Sequence, residues 1–108
     1  MSPLSTHILD ISTGRPAEGV TVSLSREGET LVTLVTNAQG RIATFSAAPL
    51  PAGSYCLTAE TGAWFARAGR ESVFTRAQID FVIGEAADDH FHLPFLLAPG
   101  GWSTYRGS

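Results

Sequence analysis

Turn-forming residues divide this chain into short β-rich runs at close spacing, and that division constrains its fold more than any other feature. Thr13-Gly14-Arg15-Pro16, Glu27-Gly28, Asn37-Ala38-Gln39-Gly40 and the cluster Pro49, Pro51 and Gly53 punctuate the backbone. Each has a local cause: Gly supplies positive φ, Pro fixes φ and lacks a donor, and Asn bonds to its own backbone. Between them, strands are expected near Ser5 to Ile11, Val20 to Arg26, Leu31 to Thr36, Arg41 to Phe45, Ser54 to Glu60, Gln78 to Ile83, His90 to Leu97 and Trp102 to Arg106. Only Thr61 to Arg70 lacks strand alternation; Ala63, Ala66 and Ala68 favour one short helix there, ended by Gly69. Such a pattern predicts an all-β fold, two sheets packed face to face with one short helix. At 108 residues, a single domain spanning residues 1–108 with a small core is expected.

Alternation assigns faces. In Phe91 to Leu97 the odd positions Phe91, Leu93, Phe95 and Leu97 form one apolar face, the expected core. His90, His92, Pro94 and Leu96 are then expected to point outward, and an outward Leu96 beside two histidines suggests a subunit interface, a binding site or both. Pro94 fits an edge or a bulge. In Ser5 to Ile11, the set His7, Leu9, Ile11 opposes Ile8 and Asp10, and the pattern does not declare which set is buried.

Charge and composition exclude several functions. The seven basic residues are all arginine, so Schiff-base chemistry and a P-loop lysine are out of reach. Formal charge is −3, which favours neither nucleic acid nor an anionic membrane surface as a partner. No apolar run approaches the roughly 20 residues of a membrane helix. The single cysteine, Cys56, forms no intramolecular disulfide and is expected as a small buried hydrophobe in a strand. The start of the sequence lacks the basic and apolar segments of a signal peptide; a soluble protein of the cytoplasm is expected.

What remains is acid–base work by His, Asp or Glu and planar recognition by Arg. His90 and His92, at i and i+2 on a strand, share a face with Cα atoms roughly 6.5 to 7 Å apart. That spacing suits two imidazoles on one metal with His7 as a third ligand, or metal-free proton transfer; the second ranks higher because no paired cysteines or clustered acidic groups accompany them. The plainer reading makes His90 a solvated residue beside Asp88 and Asp89. Arg41, after Gly40, reads equally as a strand-start surface arginine, and Tyr105 and Arg106 as cover for the edge of the core. No Gly-x-Ser-x-Gly elbow or phosphate loop is present.

Four stretches, LSTHILDISTGRPAEGVTVSL, TNAQGRI, TGAWFA and HFHLPFLLAPGGWSTYRGS, together resemble the transthyretin-like family, in its 5-hydroxyisourate hydrolase branch. Tyr105-Arg106-Gly107-Ser108 is the most specific piece, since the hormone-carrying branch lacks it. The resemblance implies two four-stranded sheets in a transthyretin-like sandwich, a homotetramer built as a dimer of dimers, and active sites in the channel between dimers. It implies His7, Arg41, His92 and Ser108 as catalytic residues, and His7, Arg41, Tyr105 and Arg106 as ligands of an oxidised purine. It also implies hydrolytic ring opening in urate catabolism, with no metal and no other cofactor. The sequence departs from the enzymes' usual pattern at Ala98-Pro99-Gly100-Gly101-Trp102, where an aromatic is missing at Gly100. The competing reading is a transthyretin-type carrier of a small ligand without turnover. The polar set His7, Arg41 and His92 speaks against it, because polar groups buried against an apolar ligand cost free energy.

Overall fold

The computed structural model describes residues 2–85 and 89–107. Its described elements are β1 (Leu4–Asp10), β2 (Arg15–Pro16), β3 (Thr21–Arg26), β4 (Glu29–Val35), β5 (Arg41–Ile42), β6 (Gly53–Ala59), α1 (Thr61–Arg67), β7 (Ala77–Ile83), β8 (Phe91–His92), β9 (Phe95–Ala98) and β10 (Gly101–Thr104). One sheet has the antiparallel order β4-β3-β6-β7; the other runs β10-β9-β1-β2, with the two-residue strands β5 and β8 also paired to β1. The fold is the expected all-β sandwich. Its core forms where the two inner faces meet: Leu4, Ile8, Phe95 and Leu97 from one sheet lie against Val22, Leu24, Leu57 and Ile83 from the other, all buried. Burying each such side chain contributes about 1.5–3 kcal/mol.

Strand β1 organises the site-bearing sheet because its two halves have different neighbours. Leu4 and Ser5 pair in parallel with Phe91 and His92 of β8, and Thr6 and His7 pair antiparallel with Ile42 and Arg41 of β5. Farther along, Ile8 to Asp10 pair in parallel with β9 while Leu9 and Asp10 pair with β2. The break between β8 and β9 falls at Leu93-Pro94, so the strand expected from His90 to Leu97 is two strands. Proline has no N–H to continue the ladder. Side chains occupy the carbonyls it leaves: Thr6 Oγ1 donates to Leu93 O at 2.6 Å, and Thr104 Oγ1 donates to Pro94 O at 2.6 Å. The break also turns Pro94 inward. It is fully buried, against the outward position that strict alternation assigned to it.

Other expected boundaries shift for local reasons. The Arg15-Pro16 turn contains a two-residue strand against Leu9 and Asp10, and the strand at Arg41 stops at Ile42 rather than Phe45. Helix α1 ends at Arg67: the N–H groups of Ala68 and Gly69 bond to Phe65 O and Ala66 O, and Gly69 turns to a φ of 71°. Cys56 is half-buried in β6, not a core residue.

A polar clamp ties this helix end to β1. Arg70 Nη1 meets Asp10 Oδ2 at 2.5 Å, and Ser12 donates to Asp10 Oδ1 from its backbone N at 2.9 Å and its hydroxyl at 2.5 Å. Asp10 is 2% exposed. Burial pushes its carboxyl upward, but the bonds from Arg70 and Ser12 outweigh it and hold the group below the usual aspartate range.

Candidate active site

The outer face of β1 carries Ser5, His7 and Leu9, since Leu4, Thr6, Ile8 and Asp10 are turned into the core. Register then decides their neighbours. His7 stands opposite Arg41, Ser5 beside His92, and Leu9 beside Leu96. Three of the expected site residues, His7, Arg41 and His92, are thereby gathered on one sheet face from three separate strands.

The turn before β5 places Arg41 through its own chemistry. Asn37 Oδ1 accepts from the N–H of Gln39 at 3.0 Å and from that of Arg41 at 2.9 Å, while Gly40 adopts a φ of 74°. A Cβ at Gly40 would run into the Ile8 carbonyl oxygen, so only glycine lets the turn lie this close to β1. The same turn presents the Gln39 carbonyl to His7 Nε2 at 2.9 Å. A carbonyl only accepts, so Nε2 carries the proton and Nδ1 of a neutral His7 holds the lone pair.

His92 is anchored from the opposite side. Its Nδ1 lies 2.8 Å from Ser5 Oγ, and the same oxygen lies 2.7 Å from His90 Nε2. Ser5 is the contact that sequence reasoning missed; its signal was the i−2 spacing from His7, which puts both on one strand face. Desolvation and the nearby Arg41 charge hold both His7 and His92 below the ordinary imidazole pKa, with His7 and His90 adding to the effect on His92. The Gln39 carbonyl opposes the shift at His7 without reversing it. Both rings are therefore neutral at pH 7, able to accept a proton beside a fixed cation.

The segment after β10 folds back along β8. Gly107 N donates to His92 O at 2.7 Å, and a Cβ on Gly107 would come within 2.7 Å of His92 Cδ2. Arg106 lies over the Phe91 ring, 4.2 Å from its centroid, with Asp89 within 3.8 Å. Together with His90 and Gly107, these two charged residues line a recess of about 500 Å³. Arg106 thus reaches the cluster from the His90 side, whereas Tyr105 projects outward at 56% exposure. Ser108 and Asp88 lie outside the described residues. A larger recess of about 800 Å³, lined by Gly62, Arg70, Val73 and Gly100 among others, contains no histidine and sits by the helix end. Among the described residues, no group of three His, Cys, Asp or Glu side chains converges as a metal site would require, and no helix is long and apolar enough to cross a membrane.

Two neutral imidazoles and a guanidinium on one face can hold a water, take its proton and stabilise a developing oxyanion. Relatives carry the same architecture. A 5-hydroxyisourate hydrolase of Caulobacter vibrioides is 40% identical with both chains covered in full. The structure of Klebsiella pneumoniae 5-hydroxyisourate hydrolase is 92% identical, also over the whole of both chains, with a TM-score of 0.95. Sea bream transthyretin in complex with thyroxine is 28% identical, covering 97% of this chain and 94% of that one, with a TM-score of 0.90. The HIUase/Transthyretin family profile matches residues 4–107, nearly the whole span over which the paired sheets and the histidine face are built, and the chain belongs to that family.

Proposed function

We propose that this protein hydrolyses 5-hydroxyisourate to 2-oxo-4-hydroxy-4-carboxy-5-ureidoimidazoline. The observation that carries the reading is the gathering of His7, Arg41 and His92, both imidazoles neutral, on one outer sheet face. The names of the relatives supply the substrate. The reaction is a cyclic amide hydrolysis. Water oxygen bonds to the ring carbonyl carbon, the water proton passes to an imidazole, and the C–N bond breaks as that proton is returned to the departing ureido nitrogen. His92, helped by His7, takes the proton, and Arg41 stabilises the oxyanion. Tyr105 and Arg106 position the flat ring, and Ser108 holds a histidine or the water. None of these steps calls on a metal.

The proposal includes a homotetramer, a dimer of dimers, with each site completed where dimers meet. The side-by-side Leu9 and Leu96, half-buried on the face that also bears His7 and His92, support a covering subunit. A cytoplasmic setting suits a fold whose one cysteine leaves no intramolecular disulfide to maintain.

The test is to generate 5-hydroxyisourate from urate and follow its ultraviolet decay. Catalytic protein is expected to accelerate decay, to keep doing so with a chelator present, and to lose roughly a hundredfold or more in His92→Ala. Unchanged decay at stoichiometric protein, with ligand bound but not consumed, would establish the carrier reading instead. Sedimentation at micromolar protein checks the tetramer.

A further inference from the structure

His92 is held by a side chain that has no part in the reaction just described. Ser5, 8% exposed, has its Oγ between two imidazole nitrogens, 2.8 Å from His92 Nδ1 and 2.7 Å from His90 Nε2. A hydroxyl has one proton to donate. It can therefore serve only one of these nitrogens as donor, and the other ring must donate to it. The tautomers of His90 and His92 are coupled through one oxygen.

We propose that Ser5 is a positioning residue that fixes the tautomer of His92, accepting from His92 Nδ1–H and donating its own O–H to His90 Nε2, so that the lone pair of His92 stays on Nε2. The opposite arrangement would put the His92 proton on Nε2 and leave no lone pair for a water proton. Two features favour the first. His90 is exposed, so its Nδ1–H meets solvent at little cost. With Nδ1 committed to Ser5, Nε2 is the nitrogen left for other partners, and the nearby Arg41 charge, which already disfavours a proton on this ring, favours a lone pair there over an N–H. Among the described residues, the charged and titratable groups around His92 are His7 on β1, Arg41 on β5, and His90, Asp89 and Arg106 around the adjoining recess.

The arrangement also lowers the cost of charging the ring. When Nε2 takes a proton, Nδ1–H keeps its bond to Ser5, and no partner has to turn around. His90, as acceptor of the Ser5 O–H, fixes the direction of this pair of hydrogen bonds. The catalytic consequence rests on the hydrolase reading; the tautomer itself does not.

The experiment uses the intact protein labelled with 15N in its histidines, without substrate, at a pH where the rings are neutral. Long-range nitrogen–proton spectra are expected to show His90 and His92 both protonated at Nδ1. In Ser5→Ala, and in His90→Phe, which leaves β1 untouched should the first variant fold poorly, His92 is expected to become a mixture of tautomers. Ser5→Thr, which keeps a hydroxyl, is expected to restore the single form. A His92 proton found on Nε2 in the unaltered protein, or an unchanged His92 in both variants, overturns the proposal. With 5-hydroxyisourate, Ser5→Ala is expected to lower kcat about tenfold with KM within about twofold; an unchanged kcat in a variant whose tautomer is lost refutes the catalytic consequence. Absence of hydrolysis by the unaltered protein would instead count against the proposed function, and the nitrogen spectra would still decide the role of Ser5.

Discussion

His7 and Arg41 stand directly opposite each other across the β1–β5 pair, so a permanent cation faces an imidazole across the ladder and disfavours a proton on it. Desolvation first, and the Arg41 charge after it, lower the pKa of both His7 and His92. Replacing Arg41 with Gln removes that charge, and both pKa values rise. The acid limb of a kcat/KM profile is expected to move to higher pH, because a larger fraction of the imidazoles is protonated at each acidic pH. At the plateau, loss of the oxyanion partner is expected to cost roughly a hundredfold. A plateau loss with an unmoved acid limb would show that the cation does not tune these rings.

Gly107 gives a separate handle on the same ring. Its Cα lies where a methyl group would press on His92 Cδ2. Gly107→Ala is expected to displace either the ring or the returning segment and to reduce kcat by about a hundredfold, in keeping with small misplacements of reacting groups. Thermal unfolding should change little, because the clash sits at the edge of the sheet. A fully active Gly107→Ala variant would show that the segment yields without disturbing His92.

Gly40 couples stability to the site. Its φ of 74° and its approach to the Ile8 carbonyl leave no room for a side chain. Gly40→Ala is expected to lower stability by more than about 1 kcal/mol in urea unfolding and, because Arg41 and the Gln39 carbonyl follow from the same turn, to lower activity in the protein that remains folded.

The Asp10–Arg70–Ser12 clamp predicts an acid-dependent stability. Asp10 has a folded pKa below its unfolded value. Its contribution is therefore complete above the ordinary aspartate range and is lost as pH falls through that range toward the folded value. Asp10→Ala removes the buried acceptor of both Arg70 and Ser12, while Arg70 keeps solvent and Ser12 Oγ as partners, and is expected to cost about 1.5–3 kcal/mol at pH 7. Urea midpoints at pH 7 and pH 3 check this: the gap between variant and parent should narrow at the lower pH.

Much of this was legible in the sequence because it follows from period-two alternation and turn chemistry. Phe91, Leu93, Phe95 and Leu97 are buried as alternation requires, and the Asn37–Gly40 turn sits where its residues demand. The failures have physical causes. Pro94 is apolar and lacks a donor, and once it ends a ladder nothing keeps it in phase, so it turned inward. Strand β1 gave no clear face because Thr6 and Asp10, polar by type, are buried by satisfying their bonds internally with Leu93 O, Arg70 and Ser12. Gathering His7, Arg41 and His92 required strand register, which alternation alone does not contain. Ser5 between two imidazoles required it twice over.

The divided partnership of β1 bears on the order in which the chain folds. Its parallel neighbours are made long after it, as the bond between Thr6 and Leu93, 87 residues apart, illustrates. The strands β3, β4, β6 and β7 pair through contacts much closer in sequence, so their sheet is expected to close first when the whole chain folds. A chain in which residues 91–98 have not yet docked on β1 is then expected to leave the inner surface of that sheet partly unsheltered. Completion of the histidine face is accordingly expected late in folding, and a chain halted before it would offer chaperones and proteases an apolar target.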